Sequence, residues 1–165
     1  MALKDLKMKY YSYFLFFLFL FFSACTGVDS RINQSFKNSG NTIALKDLTA
    51  RDYRMMDAGS LLEDALEDTL SRSIFVVTSE SPKYIIKYKI LKYHKGSRLG
   101  RFTTFGISSS AQGRLEVKVA LYDEGERVGA WIVDAWVKGG LLGGSPNELF
   151  QKAADEIMGH LRGDF

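Results

Sequence analysis

Cysteine and histidine are scarce in this chain of 165 residues, which holds one cysteine and two histidines. A chain with a single cysteine cannot form an internal disulfide bond. His94 and His160 lie far apart and outside any HExxH-type spacing, so they form no metal-binding motif. The sequence also lacks a Gly-x-Ser-x-Gly elbow and the Gly-Lys-Ser/Thr of a phosphate-binding loop. We therefore expect no catalytic residues, no cofactor and no metal ion, and we predict that the protein is not an enzyme.

An excess of positive charge is also missing from most of the chain. The formal net charge is +3. Part of it comes from Lys4, Lys7 and Lys9 at the N-terminus, and the remainder of the chain is close to neutral. A nucleic-acid-binding protein needs a strong basic patch. We therefore expect no nucleic acid among the partners.

The N-terminus is the most informative segment. Its lysines precede a short apolar run, Phe14 to Phe22, and Ser23-Ala24-Cys25 follows at once. A cationic start, a short apolar segment and a small-residue cut site are typical of a secretory signal peptide. The apolar run is too short to span a bilayer, which takes about 20 residues. The alternatives are an ordinary cleaved signal and an uncleaved anchor that happens to contain a cysteine.

The segment resembles the signal of bacterial lipoproteins, in which the cysteine is lipidated and becomes the new N-terminus. The resemblance implies a signal peptide at residues 1–24 and a membrane lipid, palmitate among its acyl groups, on Cys25. Thr26 stands where an aspartate commonly retains such proteins at the inner membrane. The resemblance therefore implies an outer-membrane location, with the protein facing the periplasm.

Three regions follow from composition and periodicity. Residues 25–40 are polar and without period after the cysteine, which predicts a flexible tether, and residues 41–165 are long enough for a single domain. Within that domain, two capping boxes predict helices that begin at Ser60 and Ser145. Apolar alternation predicts strands near residues 42–45, 74–77 and 84–93, and a hairpin across 115–137. The Gly/Ser-rich residues 96–113 are predicted to form a long mobile hairpin connection or an irregular strand.

These elements predict an α+β fold, a two-layer sandwich. We expect a mainly antiparallel sheet of about four to five strands covered by two amphipathic helices. On the last strand, Trp131 and Trp136 fall on opposite faces, so at least one of them lies outside a one-sided core. That tryptophan either marks an interface or is covered by a helix or loop.

Several short stretches resemble an uncharacterised bacterial lipoprotein family, the domain-of-unknown-function family 4410. They are Ser60 to Leu66, Phe75-Val76-Val77, Tyr84-Ile85-Ile86, Gly113 to Asp123, the glycines from Gly139 to Gly144 and Ala153 to Ile157. More distantly, the layout is similar to the α/β domain of the TolB N-terminal region and of the curli secretion lipoprotein. These resemblances imply a protein-binding role, in some relatives within oligomeric rings, and carry no catalytic residues.

The function predicted from the sequence is that of a non-enzymatic, membrane-tethered envelope lipoprotein, a protein-binding accessory or assembly module. The alternative is a ring-forming subunit of an envelope export or secretion apparatus, and a small-ligand or lipid carrier is a third hypothesis. Expected partners are the membrane, an envelope protein and further copies of the chain. Bulky or cationic groups in glycine-rich or outward positions are the candidate contact residues: Arg98, Arg101, Phe102, Phe105, Trp136, Leu141 and Leu142.

Overall fold

The computed structural model describes residues 26–34, 36–37, 39–49, 53–96, 112–137 and 145–164. These residues form one sheet with two helices on one of its faces. The strands are β1 (Thr26–Gln34), β2 (Thr42–Asp47), β3 (Val76–Val77), β4 (Tyr84–His94), β5 (Gly113–Asp123) and β6 (Glu126–Val137). The helices are α1 (Tyr53–Ser71) and α2 (Pro146–Arg162). The predicted α+β class with two helices is confirmed.

The sheet is mixed and has six strands in the described residues, in the order β1-β6-β5-β4-β2-β3. Neighbours β1, β6, β5 and β4 pair antiparallel, whereas β2 pairs in parallel with both β4 and β3. The prediction of four to five strands was therefore too low. The additional strand is β1, which occupies part of the segment predicted as a tether.

β1 corrects the tether prediction for residues 26–34. Its residues are mostly polar, but they alternate as a strand requires, and Val28 packs against the core from the inward side. Pairing with β6 runs from Thr26 opposite Val137 to Gln34 opposite Ala130. The sheet therefore begins at the residue that follows Cys25.

The core lies between the helices and the inward face of the sheet. Tyr84, Ile86, Tyr88 and Ile90 of β4 are fully buried, as the predicted alternation requires. The inward residues of β5 and β6 and the apolar stripes of both helices complete it: Leu115, Val117, Val119, Leu121, Trp131, Val133, Ala135, Leu62, Leu66, Leu70, Leu149, Phe150, Ala153, Ile157 and Leu161. Full burial of a side chain the size of leucine stabilises the fold by about 1.5 to 3 kcal/mol.

The start of α1 differs from the prediction. The helix begins at Tyr53 rather than at Ser60, and Ser60 lies exposed within it. The apolar stripe continues upstream, since Ala58 is fully buried and Met55 packs against the core. Burial of these residues stabilises two additional helical turns. The prediction that the helix begins at a capping box at Ser60 is therefore wrong.

The predicted start of α2 and the predicted hairpin are confirmed. The Ser145 hydroxyl accepts a hydrogen bond from the Asn147 amide at 3.3 Å, and Pro146 occupies the first helical turn. Between β5 and β6, Glu124 and Gly125 both have positive φ, 51° and 92°. Positive φ at both central residues is the geometry of a type I′ turn, whose twist matches that of the two strands.

Candidate functional site

The sheet has one covered face and one face without a helix in the described part of the chain. Pairing register places Trp136, Asp134 and Ile132 of β6 on this second face, which we call the open face. Residues opposite them on β1, β5, β4 and β2 belong to the same face, because directly paired residues point the same way. The open face is therefore a candidate binding surface.

Trp136 is anchored on the open face by a glycine of β1. Its indole lies against Gly27, the residue directly opposite, so closely that a Cβ atom on residue 27 would overlap the ring. Farther along the face, the Lys87 ammonium lies 3.8 Å from the centre of the Tyr122 ring, in a cation–π contact. Two aromatic groups thus lie near opposite ends of the surface, each in contact with a neighbouring strand.

Positive charge dominates the open face. Its basic side chains are Arg31, Lys46, Lys87, Lys89, Lys92, Arg114, Lys118 and Arg127, and its acidic ones are Asp29, Glu116 and Asp134. Arg114 forms a two-pronged ion pair with Asp134, with a distance of 2.8 Å from Nε to Oδ1. Lys92 Nζ lies 2.8 Å from Glu116. Two of the acids are therefore already engaged by neighbouring cations.

The remaining lysines face one another. Lys89 of β4 lies directly opposite Lys118 of β5, and Lys46 of β2 lies opposite Lys87 of β4. Among the described residues, none of the four has a carboxylate within ion-pair distance. Like charges directly opposite each other on a sheet lower its stability. The open face thus holds unneutralised positive charge at a cost to the fold.

The segments that carry most of the predicted contact residues join the described chain near one end of the sheet. Thr26, Val137 and Gly113 lie side by side on β1, β6 and β5, and His94 ends β4 beside Arg114. We call this the anchor end, because Thr26 follows Cys25, the residue that the sequence predicts to carry lipid. Residues 97–111 connect β4 to β5 and residues 138–144 follow β6, so both leave and return near this end.

A polar network beneath β1 ties it to α2. Ser30 donates to the Glu156 carboxylate at 2.6 Å, and its oxygen lies 2.9 Å from His160 Nε2. Because the single Ser30 proton goes to Glu156, Nε2 of His160 is the donor to Ser30. The His160 ring is buried and stacks on Trp131, with ring centres 5.2 Å apart. Burial lowers the pKa of His160, and the Glu156 charge opposes that effect.

This Ser–His–Glu cluster is not arranged as a nucleophilic triad. In such a triad the carboxylate contacts the ring nitrogen that faces away from the serine. Here Glu156 contacts the serine itself and lies 3.8 Å from the same Nε2. The cluster holds an edge strand in place.

The opposite edge of the sheet is apolar. Ile74 and Val76 are 67% and 54% exposed beside the short strand β3. Next to them, a groove is lined by Glu67, Ser71, Phe75, Val76 and Val77. β3 also lies far from Thr26 along the strands. It pairs with the first residues of β2, which lie beside the first residue of β4, whereas the anchor end lies at the last residue of β4.

The described residues contain neither a metal-binding cluster nor a membrane-spanning helix. There, no three His, Cys, Asp or Glu side chains converge as metal ligands. Nor is any helix in those ranges long and apolar enough to cross a bilayer.

Of the predicted contact residues, the structure places Trp136. Arg98, Arg101, Phe102, Phe105, Leu141 and Leu142 lie outside the described residues, as do Cys25 and the predicted signal peptide. The paired lysines were missed. Alternation in Tyr84–Tyr93 indicated that Lys87 and Lys89 share a face, but only the register shows them opposite other lysines.

Comparisons with known proteins assign no family. No protein-family model and no curated protein sequence matches the chain, so the resemblance to family 4410 is not confirmed. Solved structures with a similar arrangement include a PelC dodecamer from Paraburkholderia phytofirmans, at 11% identity, 86% coverage of this chain, 100% of that chain and a TM-score of 0.48. A minor lipoprotein from Acinetobacter baumannii gives 11%, 75%, 92% and 0.47 on the same measures.

TolB from Acinetobacter baumannii, one of the proteins named by the sequence resemblance, is also among the similar structures. It shows 13% identity, with 83% of this chain and 32% of that chain covered and a TM-score of 0.40. At such identities and TM-scores, these likenesses assign neither a family nor a function to the chain.

Proposed function

We propose that this chain is a non-enzymatic envelope lipoprotein, tethered by lipid on Cys25, that binds a protein partner as an accessory or assembly module. Outer-membrane attachment facing the periplasm belongs to the same proposal. Its sequence support is the N-terminal pattern that ends in Ser23-Ala24-Cys25.

The observation that carries the proposal is the convergence at the anchor end. Thr26 follows the proposed lipid site, and Thr26, Val137 and Gly113 are neighbours on adjacent strands. Strands lie about 4.8 Å apart, so the three Cα atoms span roughly 10 Å. The segments with the candidate contact residues, 97–111 and 138–144, are connected to the described chain at this end. A partner bound at the anchor end would therefore lie next to the membrane.

The first test is of the tether. Cells that express the full chain are fed an alkyne-labelled fatty acid, and the protein is examined for covalent label. We expect label on the wild type and none on Cys25→Ala. Equal label on both proteins, or on neither, would contradict lipid attachment at this residue.

The second test is of the partner. A photo-crosslinking residue replaces Phe102 in the full chain within the native cell, and a matched variant carries it at Ile74, which is exposed at the far end. We expect an adduct with another envelope protein from position 102, weakened by Arg98→Ala and Arg101→Ala, and none from position 74. Adducts of the chain with itself would instead support the ring-forming alternative. The same adducts from both positions would show that the anchor end is not the binding site.

A further inference from the structure

The open face has the composition of a surface that meets anionic lipid. It carries eight basic and three acidic side chains, and five of the eight are lysines on flexible stems. Trp136 and Tyr122 lie among them, and tryptophan and tyrosine are the residues enriched at membrane–water interfaces.

On the helix side of the molecule, α1 carries exposed acidic side chains, one of which, Asp68, is paired with Arg72. Asp57, Asp64, Glu67 and Asp68 of α1 are all exposed. An anionic surface attracts the open face and repels this helix, so both effects turn the domain the same way. The charge is therefore arranged to orient the molecule as well as to bind it.

The proposed lipid also holds the open face close to the membrane, where a weak electrostatic contact can form. Thr26 is already paired in the sheet, one residue after the proposed lipid-bearing cysteine. Several acyl groups on that cysteine would keep the chain at the membrane, and a basic patch adds attraction to anionic lipid. With so short a connection, the open face is held within a domain's length of the lipid headgroups.

We infer that the open face lies on a bilayer surface that contains anionic phospholipid, with the helices turned away from it. This inference rests on the lipid attachment proposed above. Lys46, Lys87, Lys89 and Lys118 interact with the headgroup phosphates, which relieves the repulsion between the two opposed pairs. In this orientation the anchor end points along the membrane, toward partners in the same bilayer.

The experiment reports the distance between the far end of the open face and the lipid. Tyr122 lies about nine residues along β5 from the anchor end, or roughly 30 Å at 3.3 Å per residue. The full-length lipidated protein carries Tyr122→Trp with Trp136→Phe, and Trp136→Phe alone measures the emission of the buried Trp131. The protein is reconstituted into phosphatidylcholine vesicles, with and without phosphatidylglycerol, that contain a headgroup nitroxide quencher.

We expect quenching at position 122 in the phosphatidylglycerol vesicles and its loss at high salt, which screens exposed charges. Each basic side chain near an anionic surface favours the bound orientation roughly fivefold, so Lys89→Glu with Lys118→Glu lowers the ratio of bound to upright molecules at least about 25-fold. The matched control, Lys152→Glu with Arg162→Glu on α2, makes the same change in net charge and keeps the quenching.

Flotation of the same vesicles separates this inference from the proposed function. Protein that floats without quenching at position 122 is anchored but upright, which overturns the inference alone. Protein that does not float contradicts the lipid anchor. Equal quenching in both kinds of vesicle, or quenching unchanged by the open-face reversals, would also overturn the inference. If the variants with reversed charge on the open face lose binding to an acidic protein but keep the quenching at position 122, the face would bind that protein instead of the lipid.

Discussion

The indole of Trp136 takes the place that a side chain on Gly27 would fill. The two residues are directly opposite on β6 and β1, and the ring lies across the bare backbone of the glycine. An aromatic ring that covers a cross-strand glycine restores the contact that the missing side chain leaves out. This contact stabilises β1, the strand that begins beside the proposed lipid site.

We predict that Gly27→Ala destabilises the fold by about 1 to 3 kcal/mol, because the new methyl group displaces the indole. Urea unfolding measures the change. The matched background is Trp136→Ala, in which there is no ring to displace, so the same glycine substitution there costs less than in the wild type. Equal costs in the two backgrounds would show that the ring and the glycine are not coupled.

Ser30→Ala is expected to lower the free energy of unfolding by about 1 to 3 kcal/mol. It removes the donor to Glu156 and the acceptor of His160 in a mostly buried site. Ser30→Thr keeps the hydroxyl and serves as the control. A cost as small as that of an exposed substitution would mean that the network does not hold β1 to α2.

Stability is expected to fall on mild acidification through His160. Burial lowers the pKa of His160 from its ordinary value of 6.5, so the unfolded chain binds the additional proton more readily than the folded chain. This contribution is fully present above pH 6.5 and is lost as the pH falls below it, toward the folded pKa. Urea unfolding at about pH 7.5 and about pH 5.5 should show a smaller loss for His160→Gln than for the wild type. A wild-type stability that rises over this interval would contradict the assigned direction, as would equal losses in the two proteins.

Lys89→Glu should stabilise the fold by about 0.5 to 1 kcal/mol, because it turns a like-charge cross-strand pair with Lys118 into an opposite-charge pair. Thermal unfolding of the full chain at low salt measures the gain. Lys89→Glu combined with Lys118→Glu restores a like-charge pair and returns the stability to near the wild-type value. No gain in the single variant would show that the two side chains do not repel.

Ser145→Ala is expected to cost about 1 kcal/mol through loss of the N-cap of α2. Asp at the same position keeps an acceptor for the Asn147 amide, so Ser145→Asp should stay close to the wild type in urea unfolding. An equal loss of unfolding free energy in both variants would show that the side-chain acceptor of residue 145 does not stabilise the helix.

Sequence patterns predicted the elements whose signals are local. The buried alternation of Tyr84–Ile90 and the cap at Ser145 each need only neighbouring residues, and both are confirmed. β1 was missed because its stability comes from pairing with β6, about a hundred positions away, and from the Ser30 network to α2. Ser60 misled because a capping box also occurs where a buried residue upstream, Ala58, continues the helix.

For the candidate site too, only the features with a local sequence signal could be predicted. Alternation on β6 was enough to separate Trp136 from Trp131. The opposition of Lys89 and Lys118 depends on the β4–β5 register, and the anchor end depends on the order of strands across the sheet. Neither follows from the periodicity of one segment.

The position of β1 also determines when the chain can finish folding. β1 is the first described strand of the domain, and its partner β6 lies near the other end of the sequence. Until residues 126–137 are available, β1 lacks the neighbour that it has in the described sheet. In the proposed lipoprotein, the cysteine would therefore be open to lipid attachment until β6 pairs with β1.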